Sequence, residues 1–361
     1  VKRKNYIAVH LLNDFSGSPL VLANCIDALT SEGKNVELLT SGKNGFLSRC
    51  ECKLTSFIYK RFENKLLTLL SFLFSQLLLL IMIFLKAIKM RNKPIVIINT
   101  ILPFGAALGA KLAGCRIVYY VHETSIKPKI LKRWLKFILR LTANDAIYVS
   151  NYLMQKEGVG KKGKINETVI YNSLPPEAIK LSAINNKKEF TVFMPSSLKR
   201  YKGVYDFVQL AKLLRNTDIN FVMALNAEKS EFKEFLREVG ELKNLTIYRR
   251  PKNINEIYSK SSLVLNLSNP NEWIETFGMT VIEAFNYGCP VIVPNIGGIS
   301  EIVDQGYNGY KMSVVELNSI SQKINQLSED RDLYKELATN ALTSSTHYHF
   351  LEYKNKIQGL L

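Results

Sequence analysis

The feature that most constrains this chain is an alternation of short apolar strands and helical stretches that runs once, breaks, and starts again. Residues 5–12, 36–40, 95–99, 117–121 and 146–149 read as strands, with helical stretches at 19–32 and 106–113. Strands separated by helices form a parallel sheet wrapped by those helices. The pattern restarts at 188–195, with helices at 204–214 and 229–239 and strands at 221–225, 245–248 and 263–267. The expected fold class is α/β, with two Rossmann-like domains at 1–174 and 175–346. The turn-rich Asn172-Ser173-Leu174-Pro175-Pro176 and the polar residues up to Lys188 read as the linker. A chain of 361 residues is comfortable for two such cores.

Residues 66–85 hold sixteen apolar side chains in twenty, about enough to span a bilayer. Crossing there would put the strands before it (5–12, 36–40) and after it (95–99, 117–121) on opposite sides of a membrane, although they belong to one sheet. Thr68, Ser71, Ser75 and Gln76 also form a polar stripe at helical spacing. The expectation is a helix lying on the membrane or packed on the sheet. Residues 129–140 interleave Lys129, Lys132, Arg133, Lys136 and Arg140 with Ile130, Trp134, Phe137 and leucines, the composition of an interfacial helix. The alternative is a surface helix with solvated lysines.

Lysine and arginine exceed acids by 17, and nearly all of the excess lies in residues 1–180, which hold 27 basic and 11 acidic side chains. Such a half could meet nucleic acid, anionic lipid or an anionic substrate. Five scattered cysteines without paired spacing imply neither a disulfide framework nor a zinc site and suggest a reducing, cytosolic location. The start Val1-Lys2-Arg3-Lys4 enters a strand too early for a signal peptide, so secretion is not expected.

Residues 275–303 carry the chemistry. Glu275 and Glu283 bracket a glycine turn, and Thr280 opens an apolar helical run that stops at Gly288. The amides of residues 278–281 would then project from a helix N-terminus, where phosphate binds well. Thr280-x-x-Glu283 can also be read as a plain capping box, with 291–293 a buried strand. Taken whole, Glu275, Glu283, Ala284, Gly288, Pro290-Val291-Ile292, Gly297-Gly298 and Glu301-Ile302-Val303 resemble the signature of the retaining glycosyltransferases of family 4 (glycosyltransferases group 1).

That resemblance implies a GT-B fold, with parallel sheets facing across an interdomain cleft, the donor mostly on domain two, and a last helix (347–361) crossing back to domain one. It implies that Glu283 bonds the ribose, that Glu275 approaches the transferred sugar, and that the amides of Phe277, Gly278, Met279 and Thr280 face the phosphate and sugar. Lys202, after the first strand of domain two, matches the family's lysine on the donor diphosphate. The family's arginine five residues earlier is Ser197 here, so Arg200 is the expected substitute. Gly17, in the turn after the first strand, stands where the family has two adjacent glycines facing the donor phosphates. His122, with Glu123, follows the 117–121 strand at the ligand edge of an open sheet. It can donate to a sugar hydroxyl or serve structure alone, and the resemblance places it in the active-site cleft. His10, His347 and His349 read as structural. No divalent metal or cofactor is implied, and the lone Asp330-Arg331-Asp332 reads as solvated surface.

The expected activity is retaining transfer from a nucleotide-diphosphate sugar to a lipid-linked saccharide for surface polysaccharide, peripherally on the inner face of the cell membrane, with anionic lipid as a partner. Two rivals are a basic nucleic-acid-binding protein and an inactive membrane scaffold. The first lacks a recognisable nucleic-acid motif, so nucleic acid is not an expected partner, and the second does not account for Glu275, Glu283 and Lys202 together.

Overall fold

The computed structural model describes residues 4–42, 44–160, 164–176 and 189–361. It divides into one unit made of Val1–Ser173 with Phe350–Leu361, and another made of Leu174–His349. The expected boundaries, 174/175 and 346/347, lie one and three residues away. The second differs because a short helical turn at Thr346–Tyr348 follows the preceding helix before the chain turns. Linker residues 177–188 lie outside the described residues.

Unit one is a seven-stranded parallel sheet. Its strands are β1 (Asn5–Leu12), β2 (Asn35–Ser41), β3 (Lys53–Ser56), β4 (Ile95–Asn99), β5 (Arg116–Val121), β6 (Asp145–Tyr148) and β7 (Asn166–Val169), in the order β3-β2-β1-β4-β5-β6-β7. Central β4 is buried throughout, as expected of an Ile-Val-Ile-Ile run covered on both faces. Edge strands β3 and β7 carry no apolar run, so periodicity alone does not reveal them. The order reverses between β1 and β4, and that switch point is where open sheets leave a crevice at their carboxyl ends. The last helix, Phe350–Leu360, packs in this unit: Tyr120 Oη donates to Tyr353 Oη at 3.4 Å, and Arg116 bonds the Leu360 carbonyl at 3.0 Å.

Helix α1 (Gly17–Thr30) follows β1, and α2 (Lys65–Lys89) carries the chain from β3 to β4. Both flanking strands belong to the one sheet, as the topological argument requires. The polar stripe of α2 points inward. Ser75 and Gln76 are buried, Ser71 Oγ accepts from the Lys60 amide, and Thr68 Oγ1 caps the main chain at Phe62. Leu66, Leu69, Leu70, Leu73, Phe74, Leu77 and Ile81 face out instead, while Leu79 is buried. The inner face lies backbone to backbone on α3 (Phe104–Leu112), because a Cβ at Gly105 or Gly109 would collide with the carbonyls of Gln76 or Leu80. The Gly105 amide donates to Gln76 Oε1 at 3.0 Å, which closes the start of α3.

Helix α4 (Lys129–Thr142) buries Leu135, Ile138, Leu139 and Thr142 and exposes Ile130, Trp134, Phe137 and Leu141. Its cations do not all face outward as the interfacial reading has it. Lys132 and Lys136 are bound to Glu157 at 2.6 and 3.2 Å, leaving Lys129, Arg133 and Arg140 exposed. Edge contacts from Phe72 to Phe104 and from Phe104 to Trp134 join the α2 and α4 surfaces.

Unit two holds a six-stranded parallel sheet. Its strands are β8 (Phe190–Ser197), β9 (Ile219–Asn226), β10 (Leu245–Arg249), β11 (Leu263–Leu265), β12 (Val291–Pro294) and β13 (Gly309–Met312), in the order β10-β9-β8-β11-β12-β13. The switch point here lies between β8 and β11.

The α2–α3 crossing generates a stability prediction. Gly105→Leu puts a side chain where α2 has its main chain, and overpacking of this kind costs about 1–3 kcal/mol or more. A lowered urea midpoint is expected, and an unchanged midpoint would contradict the close crossing.

Candidate active site

At the unit-two switch point the loops after β8 and β11 converge. The first delivers Lys202, whose ammonium pairs with the Glu275 carboxylate; both side chains are 19% exposed. Ser268 Oγ donates to the same carboxylate at 2.7 Å. The Lys202 ammonium also lies 5.2 Å from the centre of the Trp273 ring, and Trp273 stacks on Tyr201 at 5.4 Å. Two glycines permit this packing. Gly203 has φ +76°, and a Cβ there would run into Leu267. Gly297 has φ +111°, with Glu275's carbonyl 2.7 Å from where a Cβ would stand. The amide of Gly298 then donates to that carbonyl at 2.8 Å, so the glycine pair fixes the main chain beneath the Glu275 side chain.

Eight residues on, Glu283 lies on α5 (Met279–Asn286), a helix whose N-cap is Gly278 and which has no side-chain cap. The capping-box alternative therefore fails. Glu283 instead accepts from Tyr258 Oη at 2.6 Å, and the Tyr258 ring is wedged against Phe193 and stacked on Tyr287. Its second oxygen has no partner among the described residues and is not sealed from solvent. Burial pushes this carboxyl up to about 7, opposed by the tyrosine hydrogen bond. A carboxylate held by one hydroxyl, with its other oxygen open, suits a ligand that offers hydroxyl donors.

The other residues singled out in the sequence are placed as follows. Phe277 is buried against Tyr348, so only its main chain could face a ligand. Met279 and Thr280 are half-buried in the first turn of α5. Ser197 ends β8. Arg200 does not join Lys202: its guanidinium lies 5.1 Å over the Tyr205 ring, in exposed surface. Gly17 begins α1 with open space around it, and the turn before it is built by Asp14, which accepts from the Ser16 amide at 2.9 Å. Asp330 caps the helix Arg331–Ser345 through the Leu333 amide, a structural role for one carboxylate of the Asp-x-Asp.

Unit one has its own cluster at the carboxyl ends of β1, β4 and β5. His122 Nε2 lies 2.8 Å from Asn99 Oδ1, and Asn99 Nδ2 lies 2.9 Å from His10 Nδ1. His122 stacks on Tyr120 at 5.0 Å. Burial lowers both imidazoles, His10 to about 4 and His122 to about 3, so both are neutral at physiological pH. Glu123 is the residue that sequence reasoning passed over. Burial lifts its carboxyl to about 7, against hydrogen bonds from the amides of His122, Glu123 and Ile101 and from the Thr100 side chain. Thr100 itself sits at φ +69°, a conformation that costs a β-branched residue about 1–3 kcal/mol and is found at sites where geometry overrides comfort. The available signal was Glu123's place beside His122; the second signal, the strained Thr100, is visible only in the structure.

Residues 177–343 match the family model "Glycosyl transferases group 1". Among curated proteins, the N-acetyl-alpha-D-glucosaminyl L-malate synthase of Bacillus anthracis is 28% identical over 187 residues, 50% of this chain and 46% of that protein. An uncharacterized 41.2 kDa protein in the cps region of Klebsiella pneumoniae is 24% identical over 254 residues, 64% of this chain and 68% of that protein. The chain spans about half the length of the first curated relatives it matches. Among solved structures, Anabaena HepE in complex with UDP and glucose superposes with a TM-score of 0.80 at 18% identity, covering 98% of each chain. The lipopolysaccharide outer core galactosyltransferase WaaB superposes at 0.71 and 17%, covering 99% of each chain. The chain has the GT-B fold, and its residues 177–343 are similar to the glycosyl transferases group 1 domain.

Proposed function

We propose that this chain is a retaining glycosyltransferase of the family-4 kind, moving a hexose from a nucleoside-diphosphate sugar to a lipid-linked saccharide during surface-polysaccharide assembly. The observation that carries the reading is the Lys202–Glu275 pair, bonded by Ser268 at the unit-two switch point, with Glu283 following on the next helix. In this reading, Glu283 takes the ribose hydroxyls, Lys202 and the first amides of α5 take the diphosphate, and Glu275 meets the transferred sugar. The complex of HepE with UDP and glucose supports such a donor. WaaB and the cps-region relative support the polysaccharide setting. Charge builds on the departing diphosphate, so its stabilisation is the protein's main contribution. That phosphate helps deprotonate the acceptor on the face from which it leaves, which retains the anomeric configuration. His122 is assigned to the reacting sugar. The reaction as proposed uses no metal or cofactor.

The Lys202–Glu275 pair makes donor binding an exchange of partners. Diphosphate must draw the ammonium from the carboxylate, which then turns to the sugar. Lys202→Ala is therefore expected to weaken UDP binding by about tenfold to 100-fold, the worth of a charge-assisted hydrogen bond. Glu275→Gln removes the competitor, so it should tighten UDP several-fold while cutting turnover by about 100-fold or more. Titration calorimetry and a transfer assay read both, and unchanged UDP affinity in the two variants would remove the assignment.

Glu283 supplies the pH dependence. Its folded value of about 7 exceeds the ordinary 4.5, so the folded protein keeps a proton that the unfolded chain releases between those values. Stability from this group is full below about 4.5 and lost as pH rises to about 7. Ribose hydroxyls donate to the ionised form and pull the value down, so UDP binding near pH 7 should release protons and strengthen between pH 6 and 8. Calorimetry in buffers of different ionisation enthalpy should find less release in Glu283→Gln; equal release in both proteins would contradict the ribose role.

The acceptor reading places unit one on anionic lipid at the cytosolic face. The outward leucines of α2 and the Trp134 side of α4 enter the acyl boundary, while Lys129, Arg133 and Arg140 meet headgroups at about 1 kcal/mol each. Because its inner face is locked on α3, α2 lies along the surface and does not cross. Co-sedimentation with phosphatidylglycerol vesicles should fall with salt and fall further in the triple variant Lys129→Glu, Arg133→Glu, Arg140→Glu. Binding indifferent to both salt and charge reversal would defeat the proposal. Lys132 and Lys136 are unsuitable for this test, since they hold Glu157.

A further inference from the structure

The amide of Asn99 can point only one way. Its Nδ2 lies 3.0 Å from the main-chain carbonyl of Ser18, and a carbonyl oxygen only accepts, so the atom there is the NH2 group. The same NH2 group faces His10 Nδ1 at 2.9 Å, which makes that nitrogen the acceptor; the main-chain carbonyl of Asn99 is farther from it, at 3.4 Å. The remaining amide atom, Oδ1, therefore faces His122 Nε2 at 2.8 Å, and an oxygen acceptor there requires a proton on Nε2. A neutral imidazole has one proton, so Nδ1 of His122 carries the lone pair. Nδ1 has no partner among the described residues and is not enclosed. The opposite tautomer would set two lone pairs against each other at hydrogen-bond distance.

We infer that Asn99 is a positioning residue: anchored by Ser18 and His10, it fixes His122 as the Nε2–H tautomer and leaves Nδ1 as an open hydrogen-bond acceptor for a hydroxyl of the sugar or acceptor. This rests on the transferase reading for the identity of the hydroxyl, but not for the tautomer. It also reverses the chemistry that the sequence suggests for His122, from donor to acceptor. The chain of bonds joins α1, β1, β4 and the loop after β5, so it uses the unit-one switch point. Titratable and charged groups facing it are Glu123 on the same loop, Asp14 after β1 and Arg61 ahead of α2, with Tyr120 stacked on the ring.

The test is long-range 1H–15N correlation on the full chain with 15N-histidine, alongside transfer kinetics. The wild-type His122 signal should report a proton on Nε2 and a bare Nδ1 from pH 5 to 8. Asn99→Leu should release that preference and lower turnover by about tenfold or more, with UDP affinity unchanged. Asn99→Asp faces both rings with a carboxylate, which favours imidazolium, so its activity should fall between pH 8 and 6 where wild type holds steady. A proton on Nδ1 in wild type overturns the inference, as does Asn99→Leu with normal turnover. Should Asn99→Leu fail to fold, the wild-type spectrum and the Asn99→Asp pH profile decide. The ring signal is read without substrate, so a wild-type chain that transfers no sugar overturns the transferase reading alone, and the spectrum still decides the tautomer.

Discussion

A parallel sheet sends every strand out on the same edge, and where the strand order reverses, the connecting helices leave in opposite directions and open a gap. Nearly everything chemical in this chain hangs on that constraint, met twice. In unit one the gap between β1 and β4 receives His10, Asn99 and the start of α1. In unit two the gap between β8 and β11 receives Lys202 from one side and Ser268 and Glu275 from the other. Residues 73 positions apart become partners because each stands one loop beyond neighbouring strands.

What the loops bring together is a set of charges that need each other. Lys202 and Glu275 are both mostly removed from water, and an ion so placed without a counterpart carries a desolvation cost of several kcal/mol. Their pairing holds the ammonium at the switch point. Trp273 and Tyr201 shield the pair on one side, which strengthens the electrostatics but keeps the side chains from hydrating freely. Glu283 is handled differently: burial raises its carboxyl to about 7, against the hydrogen bond of a single tyrosine hydroxyl.

Much of this was legible in the residues. The strands at 5–12, 95–99 and 117–121 announce themselves as short apolar runs, and the structure has β1, β4 and β5 there. Lys202, Glu275 and Glu283 are set apart by an ordered signature, and the structure pairs Lys202 with Glu275. Less legible were features decided by packing. Thr68, Ser71, Ser75 and Gln76 signal a polar face but not its direction, and they face the protein because α3 and the loop before α2 offer hydrogen-bond partners. Lys132 and Lys136 read as headgroup contacts until Glu157, some twenty residues on, claims them both. Arg200 has the right charge near the right position, yet the neighbouring Tyr205 ring draws it aside. Asn99 gave no sign at all, since an asparagine at a strand end is most simply a turn residue; its importance is in the direction of one amide.

The helix Phe350–Leu360 belongs to unit one but follows all of unit two along the chain. It lies against α1, with Gln358 bonding the Ala28 carbonyl at 3.2 Å, Lys354 pairing with Glu32 at 3.0 Å and Tyr353 buried against Tyr120. Translation proceeds in one direction, and domains ordinarily fold in the order in which they emerge from the ribosome. Here that order is inverted for completion: the sheet of unit one emerges first, yet the surface of α1 stays uncovered until unit two has been synthesised. Unit two, a continuous segment, can therefore finish folding before the unit that precedes it. During that interval unit one presents apolar surface at α1 in addition to the outer face of α2, an exposure that ends only once residues 350–360 have left the ribosome.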